Sequence, residues 1–152
     1  MKSVTQKKVK LSQMSNLNFG EKFNIFYKFR FHPDYLKINT NKKKISKKES
    51  KIWFKKNKKI RKLFSIKIDG KIIGLIIYNL DNHFYSIIIL KKYRNQGIGT
   101  VALNKFIKFL KERKLKLATL VKKNNKNSVI MHKKISKSYK SANKFFYYFL
   151  II

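Results

Sequence analysis

Leu90-Lys91-Lys92-Tyr93-Arg94-Asn95-Gln96-Gly97-Ile98-Gly99-Thr100 is the stretch on which the reading of this chain turns. The apolar run before it, Phe84 to Leu90, reads as a buried strand. After it, Leu103, Phe106, Ile107 and Leu110 recur at i, i+3, i+4 and i+7, the stripe of an amphipathic helix. Lys105, Lys108, Lys111 and Glu112 then face water. Strand, short basic loop, Gly-x-Gly and helix start, in that order, can cradle an anion. Glycine permits close backbone approach and positive φ. The first amides of a helix lack intrahelical partners and lie at the positive end of its dipole. Two common phosphate loops do not fit. Gly97 to Ala102 formally matches G-x-G-x-x-A, but that reading needs an acid about 20 residues on to hold a ribose. Leu117 to Lys123 contains none, and a hairpin precedes the strand that should open such a domain. No G-x-x-x-x-G-K-[ST] run exists.

Outward from the loop, Leu63 to Ile68 alternates as a strand, and Asp69-Gly70 signals a type I′ hairpin. Ile72 to Tyr78 is apolar on both faces, so it is expected at the centre of a sheet, with Gly74 marking a bulge or a close backbone approach. Leu80 to His83 is a turn, and three antiparallel strands thus lead into the loop. Lys116 to Lys122 is a short strand that the helical connection allows to lie parallel to Phe84–Leu90. Asn125 to Ile135 is a helix, and Tyr139 to Ile152 ends in an aromatic strand expected in the core. Toward the N-terminus, a strand is expected near Lys8 to Leu11, and Ile25 to Phe31 suits either a strand or a helix. Pro33 opens a helix. Asn39 to Lys44 is a polar basic loop, and Ser46-Lys47-Lys48-Glu49 is a capping box. The helix it starts runs to about Asn57 with Ile52 and Trp53 buried, which makes Glu49 a cap before it is a catalytic base.

The run Arg94-Asn95-Gln96-Gly97-Ile98-Gly99 resembles the R/Q-x-x-G-x-G/A loop of the GCN5-related N-acetyltransferases, and the resemblance extends from about Phe64 past His132. It implies an α/β (α+β) fold: a mixed central sheet with antiparallel N-terminal strands, a splayed central strand pair and flanking helices. It implies acetyl-CoA as the acyl donor, with no metal. Arg94, Asn95, Gln96, Gly97, Ile98, Gly99 and Thr100 would hold its pyrophosphate, and Ile88, Ile89 and Leu90 would line its acetyl and pantetheine groups. Val121 to Lys137 resembles a second family segment, V-N-P-x-N-x-x-A-x-x-x-Y-x-K-x-G-F. Asn125 falls on its cofactor-contacting Asn, and His132 on the Tyr that often protonates the departing thiolate. The two are seven residues apart and share a helix face, and imidazole can donate a proton near neutral pH. His132 is therefore the catalytic candidate. Tyr, Gly and Phe of that segment are replaced by His132, Ser136 and Lys137. Direct attack by an amine needs no enzyme nucleophile, in keeping with a chain that has no Cys.

At 152 residues the chain is expected to be one domain, with 1–60 on the acceptor side and 61–152 as the acetyl-CoA-binding core. Without Cys it forms no disulfide and no thiolate metal site, and His32, His83 and His132 are scattered. No apolar segment follows the basic start and none is long enough to span a bilayer, so a cytoplasmic protein is expected. The net charge of +33 has two readings. It suits a polyanionic or phosphorylated partner. It also accompanies a wealth of Lys, Ile, Asn, Phe and Tyr, residues with A/T-rich codons, and the lysines are spread along the whole chain. Nucleic acid is thus admitted but not favoured, and a homodimer stays open. Ile45 to Phe54 resembles the I-S-x-E-E-H-x-x-W-F segment of family members that acetylate nucleotide-linked amino sugars of the pseudaminic-acid pathway. Ser50 stands in place of the His, and Arg30 echoes an Arg-Asn pair in which Phe31 replaces the Asn. An anionic, amine-bearing small molecule is the expected acceptor. The alternatives are a protein N-terminus or ribosomal protein, or a non-catalytic basic module of the same fold.

Overall fold

The computed structural model describes residues 8–36 and 45–152, so the expected loop Asn39 to Lys44 lies outside the described residues. In chain order the elements are β1 (Val9–Gln13), α1 (Phe19–Arg30), α2 (Pro33–Leu36), α3 (Lys47–Asn57), β2 (Arg61–Ile68), β3 (Lys71–Asn79) and β4 (Tyr85–Ile89). A short 3-10 turn at Lys91–Tyr93 leads to α4 (Ile98–Glu112), β5 (Ala118–Lys122), α5 (Lys126–Ile135), β6 (Ser138–Ser141) and β7 (Phe146–Leu150).

Strands β1-β2-β3-β4 form one antiparallel sheet and β5-β7-β6 a second. Among the described residues the two sheets join at a single parallel bridge, Phe84 to Ala118. The mixed character of the expected sheet is confined to that seam. Asp69 (φ 48°) and Gly70 (φ 76°) make the left-handed turn between β2 and β3. Gly74 shows both expected features. The pairing slips opposite it, between Ile66 and Lys67, and a Cβ there would stand 2.5 Å from the Ile88 carbonyl oxygen.

Each face of the first sheet is covered. Leu103, Phe106 and Leu110 of α4, all fully buried, pack on Phe64, Ile76, Tyr78 and Tyr85. Phe23, Phe26 and Phe29 of α1 and Phe54 of α3 cover Leu63, Leu75, Ile77 and Ile88 on the opposite face. Each such side chain contributes about 1.5–3 kcal/mol by leaving water. The ambiguous aromatic run at Ile25 is helical because the helix begins earlier, at a second capping box. There the Glu21 amide donates to Asn18 Oδ1 (2.9 Å) and the Asn18 amide to Glu21 Oε2 (3.0 Å). The box at α3 forms as read, with the Ser46 amide donating to Glu49 Oε2 at 2.8 Å.

Two burial expectations are corrected. Ile52 is 61% and Trp53 40% exposed, whereas Ser50 and Phe54, four apart, are buried, and Phe54 meets Phe19, Phe23 and Phe26 of α1. The expected C-terminal aromatic strand forms as β7, paired with β6 in a hairpin that turns where Asn143 Oδ1 accepts from the amides of Phe145 and Phe146 (2.8 and 3.0 Å), but it is not all core. Phe149 is buried there, but Phe145 is 64% exposed.

Candidate active site

The site begins with backbone phase. The Asn79 amide donates to the Phe84 carbonyl (2.8 Å) and the Leu90 amide to the Ile73 carbonyl (3.1 Å). Residues 84, 86, 88 and 90 therefore pair with β3, and the amides and carbonyls of Tyr85, Ile87 and Ile89 point toward β5. On β5, the Ile151 amide donates to the Leu117 carbonyl (2.9 Å) and the Lys123 amide to the Phe145 carbonyl (2.9 Å). That phase leaves Ala118 and Leu120 facing β4. The Ala118 amide donates to the His83 carbonyl (3.0 Å), and Thr119 Oγ1 to the Tyr85 carbonyl (3.1 Å). Past that point no pairing joins the strands, which part. Backbone groups of Ile87 and Leu120 are thus left on the two sides of a gap.

A cavity of about 580 Å³ occupies the gap and reaches both sheet faces. Tyr85, Ile87, Thr119, Ser128 and His132 line it on one side and Tyr35, Ile77, Ser86 and Arg61 on the other. Asn125 and Lys122 also border it. His132 is 2% exposed. Its Nδ1 lies 2.7 Å from the Ser128 carbonyl, which can only accept, so Nδ1 carries the proton. Its Nε2 is free to accept from the Tyr85 hydroxyl, with which it is in hydrogen-bond contact. Burial pushes the His132 pKa down, and only the Ser128 bond opposes it. Burial also holds the Tyr85 pKa well above the ordinary phenol value. At neutral pH the pair is an uncharged imidazole and a protonated hydroxyl.

At the other end of β4 the basic loop turns into α4. Gly97 is the N-cap, left-handed at φ 76°, and has no capping side chain. The first intrahelical bond runs from the Val101 amide to the Gly97 carbonyl (3.1 Å). The amides of Ile98, Gly99 and Thr100 consequently have no helical partner. A Cβ on Gly97 would meet open space, whereas one on Gly99 would press on Ile89 Cδ1 (3.3 Å) and Met131 Sδ (3.5 Å). Asn95 (φ 59°) is also left-handed, and its Oδ1 accepts from Asn127 Nδ2 (3.1 Å), tying the loop to α5. Arg94 points inward. Its Nε donates to the Ile89 carbonyl (2.8 Å) and its NH2 to the Asp34 carbonyl (3.1 Å). The Asp34 carboxylate in turn accepts from the Lys91 amide at 2.8 Å, the chief cause that holds its pKa below the usual carboxylate range. The short helix α2 and the loop are thereby clamped together.

These positions alter several expectations. Arg94, expected to hold the cofactor, has its guanidinium engaged in the clamp. Ile88 and Leu90 give their backbone groups to β3, so Ile89 and the unanticipated Ile87 face the gap. Asn125 caps α5, its Oδ1 accepting from the Ser128 amide (3.3 Å), and borders the cavity as well. Gln96 donates to the Lys92 carbonyl (2.8 Å). Ile98 is buried beneath the loop. Gly97, Gly99 and Thr100 stand at the free helix amides. Reading by sequence missed Tyr85, Ser128, Thr119, Arg61, Tyr35 and Ser86. Tyr85 and Ser86 were hydroxyl-bearing breaks in an apolar run, the one signal available for them.

Every acid of the chain lies elsewhere. Glu21 and Glu49 cap helices, Asp34 clamps the loop, Asp69 forms a hairpin turn, Glu112 is 4.0 Å from Arg113, and Asp81 is in the exposed turn after β3. None lines the cavity, and neither undescribed segment contains an acid. Among the described residues no group of three or more His, Cys, Asp or Glu could hold a metal ion, and no helix is long and apolar enough to cross a membrane.

The profile of the Acetyltransferase (GNAT) family matches residues 26–136, and the chain belongs to that family. It is an acetyl-CoA-dependent N-acetyltransferase. Similar solved structures include the spermidine N-acetyltransferase of Vibrio cholerae in complex with CoA and spermine (TM-score 0.72, 12% identity, 95% of this chain and 96% of that one). The N-acetyltransferase PseH of Campylobacter jejuni is another (TM-score 0.62, 22% identity, 93% and 96%). A ribosomal-protein-alanine N-acetyltransferase of Brucella melitensis is a third (TM-score 0.64, 14% identity, 93% and 97%). No curated protein matches the chain in sequence. The residues present fit the donor: unpartnered amides at a glycine N-cap suit a pyrophosphate, and the parted strands leave backbone groups for an amide-bearing arm.

Proposed function

We propose that the chain acetylates the primary amine of an anionic small molecule, best represented by a nucleotide-linked amino sugar. The observation that carries this reading is the cavity lining, which includes Arg61 and Lys122 and no carboxylate. A polyamine site needs acids to neutralise its substrate, and like charges in a protein of +33 oppose a cationic acceptor. The segment 45–54, similar to that of amino-sugar acetyltransferases, contributes Trp53 beside the cavity residue Arg61.

Acetyl-CoA supplies the acetyl group already activated as a thioester. The residues then have modest tasks. The amides of Ile98, Gly99 and Thr100 hold the diphosphate. Ile87 and Leu120 offer backbone donors and acceptors inside the gap. The Tyr85 oxygen keeps its proton through neutral pH, and its one hydrogen, donated to His132 Nε2 in the resting site, can turn from the imidazole to the departing sulfur. His132 Nε2 orients that hydroxyl. This narrows the proton-donor role expected of His132, because the imidazole is neutral and both its nitrogens are engaged. Without a carboxylate in the cavity, water hydrogen-bonded to the gap carbonyls receives the proton of the attacking amine.

The test is CoA release against UDP- and dTDP-linked amino sugars, spermidine, and peptides with free N-termini. Turnover of the sugar nucleotides is expected. Turnover of spermidine or peptides without any sugar nucleotide would overturn the choice of acceptor.

A further inference from the structure

Arg61 opens β2, two strands from the gap, or roughly 10 Å from β4 at ordinary strand spacing. It lines the cavity. Its Nε is buried and, among the described residues, has no hydrogen-bond partner. Its guanidinium carbon lies 5.2 Å from the centre of the Trp53 ring, and Trp53 is itself stacked on Phe26 (5.9 Å, 18°). The ring attracts the guanidinium charge without satisfying the Nε donor. Asp81 is close enough to favour the charge but forms no ion pair with it among the described residues. Burial depresses the Arg61 pKa, the sign of a cation lacking a full counter-charge.

Native proteins seldom leave a buried donor unmatched, and such a group calls for an explanation. Resting on the acceptor reading above, we infer that Arg61, packed beside Trp53, anchors the diphosphate of the acceptor and so determines its specificity. The planar fork of Arg donates two parallel hydrogen bonds to a phosphate, which a lysine ammonium cannot copy. A hexose ring with its glycosidic phosphate can bridge from this point to an amine presented at the gap. Tyr35 and Ser86, which line the same cavity, lie along that route.

The test uses Arg61→Gln and Arg61→Lys, with Lys71→Gln as a charge control at the opposite end of the β2–β3 hairpin. All are checked for unchanged melting. With a UDP-linked amino sugar, Arg61→Gln should raise KM about 10- to 100-fold with kcat within about twofold, and Arg61→Lys should recover part of the loss. Lys71→Gln should leave KM unchanged. The unlinked amino sugar, which lacks the anion, should show the same KM with wild type and Arg61→Gln. Its 1-phosphate and an amino uronic acid separate a phosphate requirement from a carboxylate one: a KM penalty in Arg61→Gln as large with the uronic acid as with the UDP-linked sugar would overturn the diphosphate assignment. Equal KM for the UDP-linked sugar in wild type and Arg61→Gln, or an equal penalty for the unlinked sugar, would overturn the inference. If wild type turns over no sugar nucleotide, the acceptor reading fails. Arg61 is then judged by calorimetric titration with UDP, where equal affinity of wild type and Arg61→Gln contradicts an anion anchor.

Discussion

Gly97 and Gly99 sit two residues apart and are needed for different reasons. At Gly97 the requirement is conformational, since φ is 76° and the space for a Cβ is open. At Gly99 it is steric, because Ile89 and Met131 already crowd the position. Gly97→Val should weaken acetyl-CoA binding about 10-fold or more, as a β-branched residue resists the left-handed turn that presents the amides. Gly99→Val should weaken binding and also lower the melting temperature, since overpacking costs about 1–3 kcal/mol. Calorimetry and thermal melts separate the two, and wild-type affinity in both variants would remove the loop from the site.

His132 supports a second prediction at this scale. Its folded pKa lies below its unfolded value of 6.5. The unfolded chain therefore binds the proton more readily, and the stability from the neutral buried imidazole is full above about 6.5 and lost as pH falls through the folded value. Between pH 8 and 5 the wild-type melting temperature should fall further than that of His132→Ala. The same variant should reduce kcat by roughly 10- to 1000-fold, because Tyr85 loses its orienting partner. Parallel melting curves with unchanged kcat would make the imidazole plain core.

At the scale of elements, the clamp from α2 to the phosphate loop links the two halves of the site. Asp34→Ala removes the acceptor of the Lys91 amide and should weaken acetyl-CoA binding roughly 10-fold by letting the loop shift. The carboxyl titrates below 3.8, so the clamp is intact at neutral pH and is lost only as pH falls through that lowered value. Unchanged affinity in Asp34→Ala would mean that the loop holds its shape unaided.

What could be read in advance also divides by element. The β2–β4 hairpins, the α4 stripe and the Ser46 cap were legible because local periodicity and turn chemistry determine them. The Asn18 cap was overlooked, and without it the aromatic run at Ile25 has no preferred state. The β6–β7 turn depends on Asn143 accepting two local amides, a signal masked by the uniform aromatic sequence around it. The burial of Phe54 over Trp53 depends on where α1 lies, which no spacing within α3 records. Arg94 matched a binding motif, yet one of its partners is Asp34 on α2, 60 residues away, and the other is Ile89 at the end of β4, and only folding reveals that its guanidinium is engaged.

For the whole molecule, the site is a consequence of topology: two antiparallel sheets touch at Phe84 and Ala118 and then part. Side chains fill the core on both faces, and the proposed mechanism assigns the chemistry to backbone groups, a few hydroxyls and one buried histidine. A chain so poor in acids, six against 39 basic residues, uses them for caps, turns, the clamp and a surface contact with Arg113 and keeps none in the cavity. The most direct test of this account is the crystal structure of the chain with CoA bound. The account predicts the diphosphate on the amides of Ile98, Gly99 and Thr100, the pantetheine arm between β4 and β5 beside Ile87 and Ile89, and the sulfur next to the Tyr85 hydroxyl. Density for CoA elsewhere, or β4 and β5 zipped together along their length, would contradict it.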